Sequence, residues 1–73
     1  MGDAVNNSNL ANELKLQRAK RKWSQEQLAM ISKVSINEIH KIENAKNVPR
    51  MITLIKLANA LGIDEEIFLK YIR

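Results

Sequence analysis

Two copies of one helix-start pattern, eleven residues apart, constrain this chain more than any other feature of its sequence. Each copy has a serine where a helix N-cap belongs, at Ser24 and Ser35, and a Gln or Glu three residues later, at Gln27 and Glu38. In this capping-box pattern two side chains satisfy backbone N–H groups at the start of a helix. Eleven residues accommodate a helix of about two turns and a tight turn. The spacing therefore predicts a helix-turn-helix unit.

Helices are also predicted on both sides of this unit, because the apolar residues recur at helical spacing and no stretch alternates as a strand would. We predict a first helix from about Asn9 to Lys22, and a fourth from about Met51 to Leu61 that Gly62 closes. A last segment runs from Glu65 to Ile72 after a cap at Asp64. The predicted fold is all-α, a compact bundle of five short helices.

One domain is expected at residues 9–73, because a chain this short has room for a single small core. Residues 1–8 (MGDAVNNS) are poor in large apolar groups and lack periodicity, so we expect a flexible tail there. Inward-facing side chains are expected in the first and fourth helices, and they are Leu10, Leu14, Ala19, Leu54, Leu57, Ala58 and Leu61. The apolar residues that the last segment presents are Ile67, Phe68, Tyr71 and Ile72.

Several classes of function are excluded by composition. The chain has no Cys and one His, which leaves no disulfide and no Cys/His metal cage. No arrangement of nucleophile, base and oxyanion donors and no Gly-rich phosphate loop is visible, so we expect neither an enzyme nor a cofactor. Without a spanning run or a signal pattern, a cytoplasmic, nucleoid-associated protein is expected.

Positive charge is concentrated in the middle of the chain. From Leu14 to Lys56 there are ten basic residues against three acidic ones, a surplus of seven. Such a surplus is typical of a surface that binds a polyanion, although a solvated basic face has the same composition.

The third helix carries the pattern that discriminates between these two interpretations. With Ile39 and Ile42 turned to the core, the opposite face collects Ile36, Asn37, His40, Lys41 and Asn44. An Asn amide can bond adenine, Lys can donate to guanine, and an aliphatic group can contact a thymine methyl in the major groove. The face therefore predicts base contacts by Ile36, Asn37, His40 and Lys41, with A·T pairs among those read; for His40 a solvated or phosphate-facing ring is the alternative.

The stretch from Leu14 to Leu69 resembles the phage-repressor-like, or Xre-type, helix-turn-helix family. The resemblance rests on motifs at the starts of the second and third helices and along the fourth. They are Ser24-Gln25-Glu26-Gln27-Leu28-Ala29, Val34-Ser35, Ile39, Ile42-Glu43-Asn44, Pro49 and Leu54-Ile55-Lys56-Leu57-Ala58-Asn59-Ala60-Leu61-Gly62-Ile63.

This resemblance implies a set of DNA-backbone contacts and one structural ion pair. Gln25 would bond a phosphate from the start of the second helix, and the segment after the third helix would touch the backbone. The expected phosphate contacts are Ser24, Gln25, Lys33, Asn44, Lys46 and Arg50. An ion pair between Arg18 and Glu43 would fix the third helix against the first. The chain departs from the family by having Lys22, Lys33 and Ala45 where glycine is frequent.

A dimer is expected because one recognition helix offers few base contacts. Two copies would place their third helices in successive major grooves, about 34 Å apart, on a palindromic operator. Phe68, Tyr71 and Ile72 are the expected dimer contact. Such a homodimer, bound over a promoter, would compete with RNA polymerase and act as a repressor; activation through contact with polymerase stays open.

A protein-interaction module on the same scaffold is the alternative from another class. It would be an antitoxin subunit that neutralises a toxin, or a bridging coactivator whose third helix does not read DNA. Asn37 and Lys41 with basic flanks favour DNA, whereas Ile36 suits both partners.

Overall fold

The computed structural model describes residues 7–72, and that range contains five helices and no strand. They are α1 (Asn7–Lys20), α2 (Gln25–Ser32), α3 (Ile36–Glu43), α4 (Met51–Leu61) and α5 (Glu66–Leu69). Helix α3 packs against α1 and α2, α4 packs against α2 and α5, and α5 also contacts α1. The predicted all-α bundle of five short helices is confirmed.

Helices α2 and α3 begin at the serines that the capping pattern marked. The Ser24 hydroxyl accepts a bond from the Gln27 N–H at 3.0 Å, and the Ser35 hydroxyl accepts one from the Glu38 N–H at 3.1 Å. At α2 the box is complete, because the Gln27 side chain accepts a bond from the Ser24 N–H at 2.7 Å. At α3 the predicted return bond from Glu38 is absent from the described residues. Glu38 lines a groove together with three basic residues.

Three residues other than glycine have a left-handed backbone: Lys22 (φ 58°), Lys33 (φ 65°) and Ala45 (φ 57°). Each lies within two residues of a helix end, where the chain makes a tight turn. A residue with a Cβ loses about 1–2 kcal/mol in this conformation. Gly62, which ends α4 at φ 70°, does not carry that cost. The chain therefore keeps three tight connections at the expense of stability.

The core lies between the inner faces of all five helices. Its fully buried members come from α2, α3, α4 and α5, and their removal from water contributes about 1.5–3 kcal/mol for each large side chain. The side chains with no exposed surface are Leu28, Ile39, Leu54, Leu57, Ala58 and Phe68. Gln17, Ser32 and Glu43 are the buried polar residues among those described, and the Ser32 hydroxyl accepts a bond from the Val34 N–H at 3.2 Å.

Helix α1 begins and ends two residues earlier than predicted. Residues 7 and 8 are therefore helical and not part of a tail; the rest of the predicted tail, residues 1–6, lies outside the described residues. Ala19 was predicted to face inward and is exposed. The buried face of α1 consists of Leu10, Ala11, Leu14 and Gln17, whose spacing of three or four residues leaves Ala19 on another side.

The end of the chain differs most from its prediction. Helix α5 is a single turn, and the Asp64 carboxylate accepts a bond from the Glu66 N–H at 2.9 Å just before it. Phe68 has no exposed surface, because α5 folds back onto α1 and α4. Its assignment to a dimer contact is therefore wrong. Tyr71 and Ile72 are half-buried against the same core.

No helix within residues 7–72 has both the length and the apolar character needed to cross a membrane.

Candidate nucleic-acid interface

Helix α3 presents its polar side chains to solvent and its isoleucines to the core. Asn37, His40 and Lys41 are exposed, and Asn44 is exposed at the C-cap. Ile39 and Ile42 have 0% and 1% of their surface exposed. The division between a buried face and a polar face at this helix is the one predicted from the sequence.

Ile36 lies at the first turn of α3 and is half-buried. Its free surface adjoins the polar face of the helix, since positions 36, 37 and 40 share one side. An apolar group at this place can contact a thymine methyl without first losing hydrogen bonds to water. The four predicted base-contacting residues are thus together on one accessible side of α3.

The far end of α3 is fixed by a buried carboxylate. Glu43 has 3% of its side chain exposed and accepts two bonds from Arg18 of α1, from Nε at 2.8 Å and from Nη2 at 2.9 Å. The Arg18 Nη1 also donates to the Trp23 carbonyl at 2.8 Å. The hydrogen bond to Glu43 raises the pKa of Arg18, and desolvation of the guanidinium opposes it. The side chains therefore form the ion pair that the resemblance implied.

A second partner of this carboxylate was not expected. The Gln25 side-chain N–H donates to Glu43 Oε1 at 2.9 Å, which joins the start of α2 to the end of α3. The amide has a second N–H and its own oxygen, so the predicted phosphate contact is still open to Gln25. The sequence carried no sign of this bond because the two residues are eighteen positions apart in different helices.

The predicted phosphate contacts surround α3. Ser24 and Gln25 lie at the start of α2, and Lys33 lies in the turn before α3. Asn44, Lys46 and Arg50 are exposed in the segment that joins α3 to α4. Arg50 is the N-cap residue of α4 and makes no capping bond with its side chain.

Two of the ten basic residues counted in the sequence are bound internally. Arg18 pairs with Glu43, and the Arg21 guanidinium donates to the carbonyls of Gln17 and Leu61, which ties α1 to the end of α4. Arg21 also lies over the Trp23 ring, 5.9 Å from its centroid. These two guanidinium groups are engaged within the fold, so fewer than ten basic side chains can contact a polyanion directly. Within residues 7–72 no cluster of three or more His, Cys, Asp or Glu residues is suited to hold a metal ion.

Comparison with known proteins also identifies the chain as a helix-turn-helix protein. The model of the HTH_3 helix-turn-helix family matches residues 14–68. A solved structure of an HTH_3 family transcriptional regulator from Vibrio cholerae is similar, with 31% identity and a TM-score of 0.81. The similarity covers 88% of this chain and 36% of the Vibrio regulator, so the chain spans about a third of its length.

Two further solved structures share the fold at lower identity. The restriction-modification controller protein C.AhdI from Aeromonas hydrophila is 24% identical with a TM-score of 0.81, over 85% of this chain and 94% of that one. The hypothetical transcription factor NHTF from Neisseria is 23% identical with a TM-score of 0.81, over 94% of this chain and 85% of that one. A search of curated proteins gave no match.

Proposed function

The chain belongs to the HTH_3 family of DNA-binding helix-turn-helix proteins, and from that premise we propose that it regulates transcription as a dimer on a palindromic operator. Its direct mode of action is repression, in which the bound dimer occupies a promoter that RNA polymerase needs. The base contacts are Ile36, Asn37, His40 and Lys41 of α3.

The observation that carries this proposal is the accessible face of α3 on a fixed support. Asn37 and Lys41 supply hydrogen-bonding groups of two kinds, and Ile36 adds an apolar group. Glu43 ties the same helix to α1 and α2 through Arg18 and Gln25. A face used for reading bases must be held at a fixed angle to the DNA backbone, since small displacements break bidentate bonds.

Ser24, Gln25, Lys33, Asn44, Lys46 and Arg50 are proposed as the backbone contacts. They flank α3 on both sides along the chain, at the start of α2, in the turn before α3 and in the segment after it. Contacts to phosphates orient a protein on the duplex and supply most of its non-specific affinity.

The test is selection from a randomised duplex library at two salt concentrations. We expect an inverted repeat whose half-sites are about one helical turn apart, with affinity about 10³-fold or more above that for random DNA. A·T pairs are expected in each half-site, because Asn37 suits adenine and Ile36 suits the thymine methyl. Weak binding that vanishes with added salt and enriches no sequence would mean that the basic residues attract DNA by charge alone and that α3 reads no bases.

The dimer contact is proposed at Tyr71 and Ile72. The Tyr71 hydroxyl donates to Glu13 at 3.3 Å, and both side chains keep part of their surface accessible. We expect Ile72→Ser to raise the dimer dissociation constant about tenfold or more, since a buried isoleucine contributes about 1.5–3 kcal/mol. Sedimentation velocity measures this, with Met51→Ser as the matched control at an exposed apolar residue of α4. Loss of the dimer in Met51→Ser but not in Ile72→Ser would show that the dimer contact lies at the start of α4.

The second candidate function is a protein-interaction module such as an antitoxin subunit. Exposed apolar residues on α2, Met30 and Ile31, are the observation that favours it, because they offer surface to a protein away from α3. A chain that fails the selection and binds a toxin or polymerase would support this function.

A further inference from the structure

A groove of about 350 Å³ lies between the turn that precedes α3 and the first two turns of α4. Three basic residues line it, Lys33 from the turn and Arg50 and Lys56 from the α4 side. Ser35 and Thr53 add hydroxyl groups, and Glu38 adds the one carboxylate. Since a water molecule occupies about 30 Å³ of liquid, the groove has room for a phosphate group and several waters.

The charge in this groove is not neutralised within the protein. The one ion pair recorded among residues 7–72 joins Arg18 and Glu43, and it lies outside the groove. Three cations against the Glu38 carboxylate leave a net charge of plus two on the lining residues at neutral pH. The three basic side chains are exposed and carry no recorded side-chain bond, so they are available to an anion that enters the groove.

We infer that this groove holds one phosphodiester group of the DNA backbone, with Thr53 and Lys56 of α4 as contacts that the sequence did not single out. The inference rests on the proposed DNA binding and adds α4 to the elements that contact the DNA backbone. Lys33 and Lys56 supply the charge, and the hydroxyls of Ser35 and Thr53 are the neutral donors.

The position of the groove explains what such a contact would do. Ser35, which lines it, immediately precedes Ile36 and Asn37 on the base-reading face. A phosphate held there would fix where the start of α3 lies along the strand. The groove therefore sets the register of α3 on the duplex, and it acts equally on all sequences because a phosphate carries no sequence information.

The first experiment compares Lys56→Gln with Lys15→Gln, at an exposed lysine of α1 that does not line the groove. Affinity for a short duplex of mixed sequence is measured against salt concentration. Loss of one phosphate contact lowers the slope of log K against log salt by about 0.9, so the change between about 50 and 200 mM salt shrinks about 3.5-fold. We expect this in Lys56→Gln and not in Lys15→Gln. Equal slopes in both variants would overturn the inference.

A second pair of variants separates binding from folding. Lys33→Gly removes a groove cation and relieves a left-handed backbone, so we expect a melting temperature about 4 °C higher together with weaker DNA binding. Ala45→Gly relieves a similar backbone and leaves the charge unchanged, so it should raise the melting temperature and keep the salt slope. A Lys33→Gly variant with unaltered salt dependence would contradict the inference.

The source of the phosphate is distinguished by amide NMR titrations. Short duplex DNA is expected to shift the amides of Thr53 and Lys56, and inorganic phosphate at the same phosphate concentration is not. Saturable shifts with inorganic phosphate alone would show that the ligand of the groove is a free anion and not the DNA backbone. A wild-type chain that binds no duplex would refute the proposed function itself, whereas duplex binding indifferent to Lys56 would refute only the groove.

Discussion

Arg18→Met is expected to lower the free energy of unfolding by about 3–5 kcal/mol, the cost of leaving a buried carboxylate without its cation. Glu43 has 3% of its side chain exposed, and Arg18 supplies two of the three side-chain bonds it accepts. Methionine keeps most of the aliphatic part of Arg18, so the loss reports on the charge and its bonds. In a domain of this size the melting temperature falls about 4–8 °C per kcal/mol, which makes the effect at least about 12 °C.

The control for this prediction is the double variant Arg18→Met with Glu43→Leu. Replacing both members of a buried pair with apolar groups is often close to neutral, because no uncompensated charge is left. We therefore expect the double variant to be more stable than Arg18→Met alone. A thermal melt in which Arg18→Met loses less than about 0.5 kcal/mol would show that the pair contributes no more than a surface one.

Asn37→Ala and Lys41→Ala are expected to weaken binding to the selected operator by about 1–3 kcal/mol each, or roughly 5- to 150-fold. Both side chains are exposed, and none of the recorded side-chain bonds of residues 7–72 involves them, so the melting temperature should stay unchanged. Affinity for random DNA should change much less, because base contacts discriminate between sequences. Fluorescence anisotropy with operator and random duplexes measures both quantities.

Asn12→Ala is the matched control, since Asn12 is an exposed asparagine on α1. It should leave both affinities unchanged. If Asn37→Ala weakened operator and random duplexes by the same factor, Asn37 would be a backbone contact. If neither Asn37→Ala nor Lys41→Ala altered operator binding, α3 would not be the reading helix and the protein-partner alternative would gain support.

The sequence was most informative where a feature depends on residues close together in the chain. Ser24 and Ser35 identified two helix starts because a cap and the N–H it binds are three residues apart. Gly62 and the apolar spacing gave the bounds of α4 for the same reason. The family resemblance is confirmed as well, and it supplied the Arg18–Glu43 pair, which no local rule would give.

Long-range packing is where the sequence was insufficient. Phe68 has the same local pattern whether α5 stands free or folds back onto α1 and α4, and only the fold shows it buried. Ala19 is small enough to suit either side of α1. The bond from Gln25 to Glu43 and the groove at Lys56 both arise where helices distant in sequence meet. Their prediction requires the crossing of the helices, which composition and periodicity leave undetermined.

The buried side chains of α3 hold the helix in the fold and the exposed ones do not, which has a consequence for how the sequence of this protein can evolve. Its anchoring groups, Ile39, Ile42 and Glu43, are buried, whereas the side chains of Asn37, His40 and Lys41 are exposed and take part in none of the side-chain bonds recorded for residues 7–72. Substitutions on the outward side can therefore accumulate at almost no thermodynamic penalty. Under the base contacts proposed above, exchanging a few outward side chains would give a different target sequence while the buried residues and the fold stay unchanged.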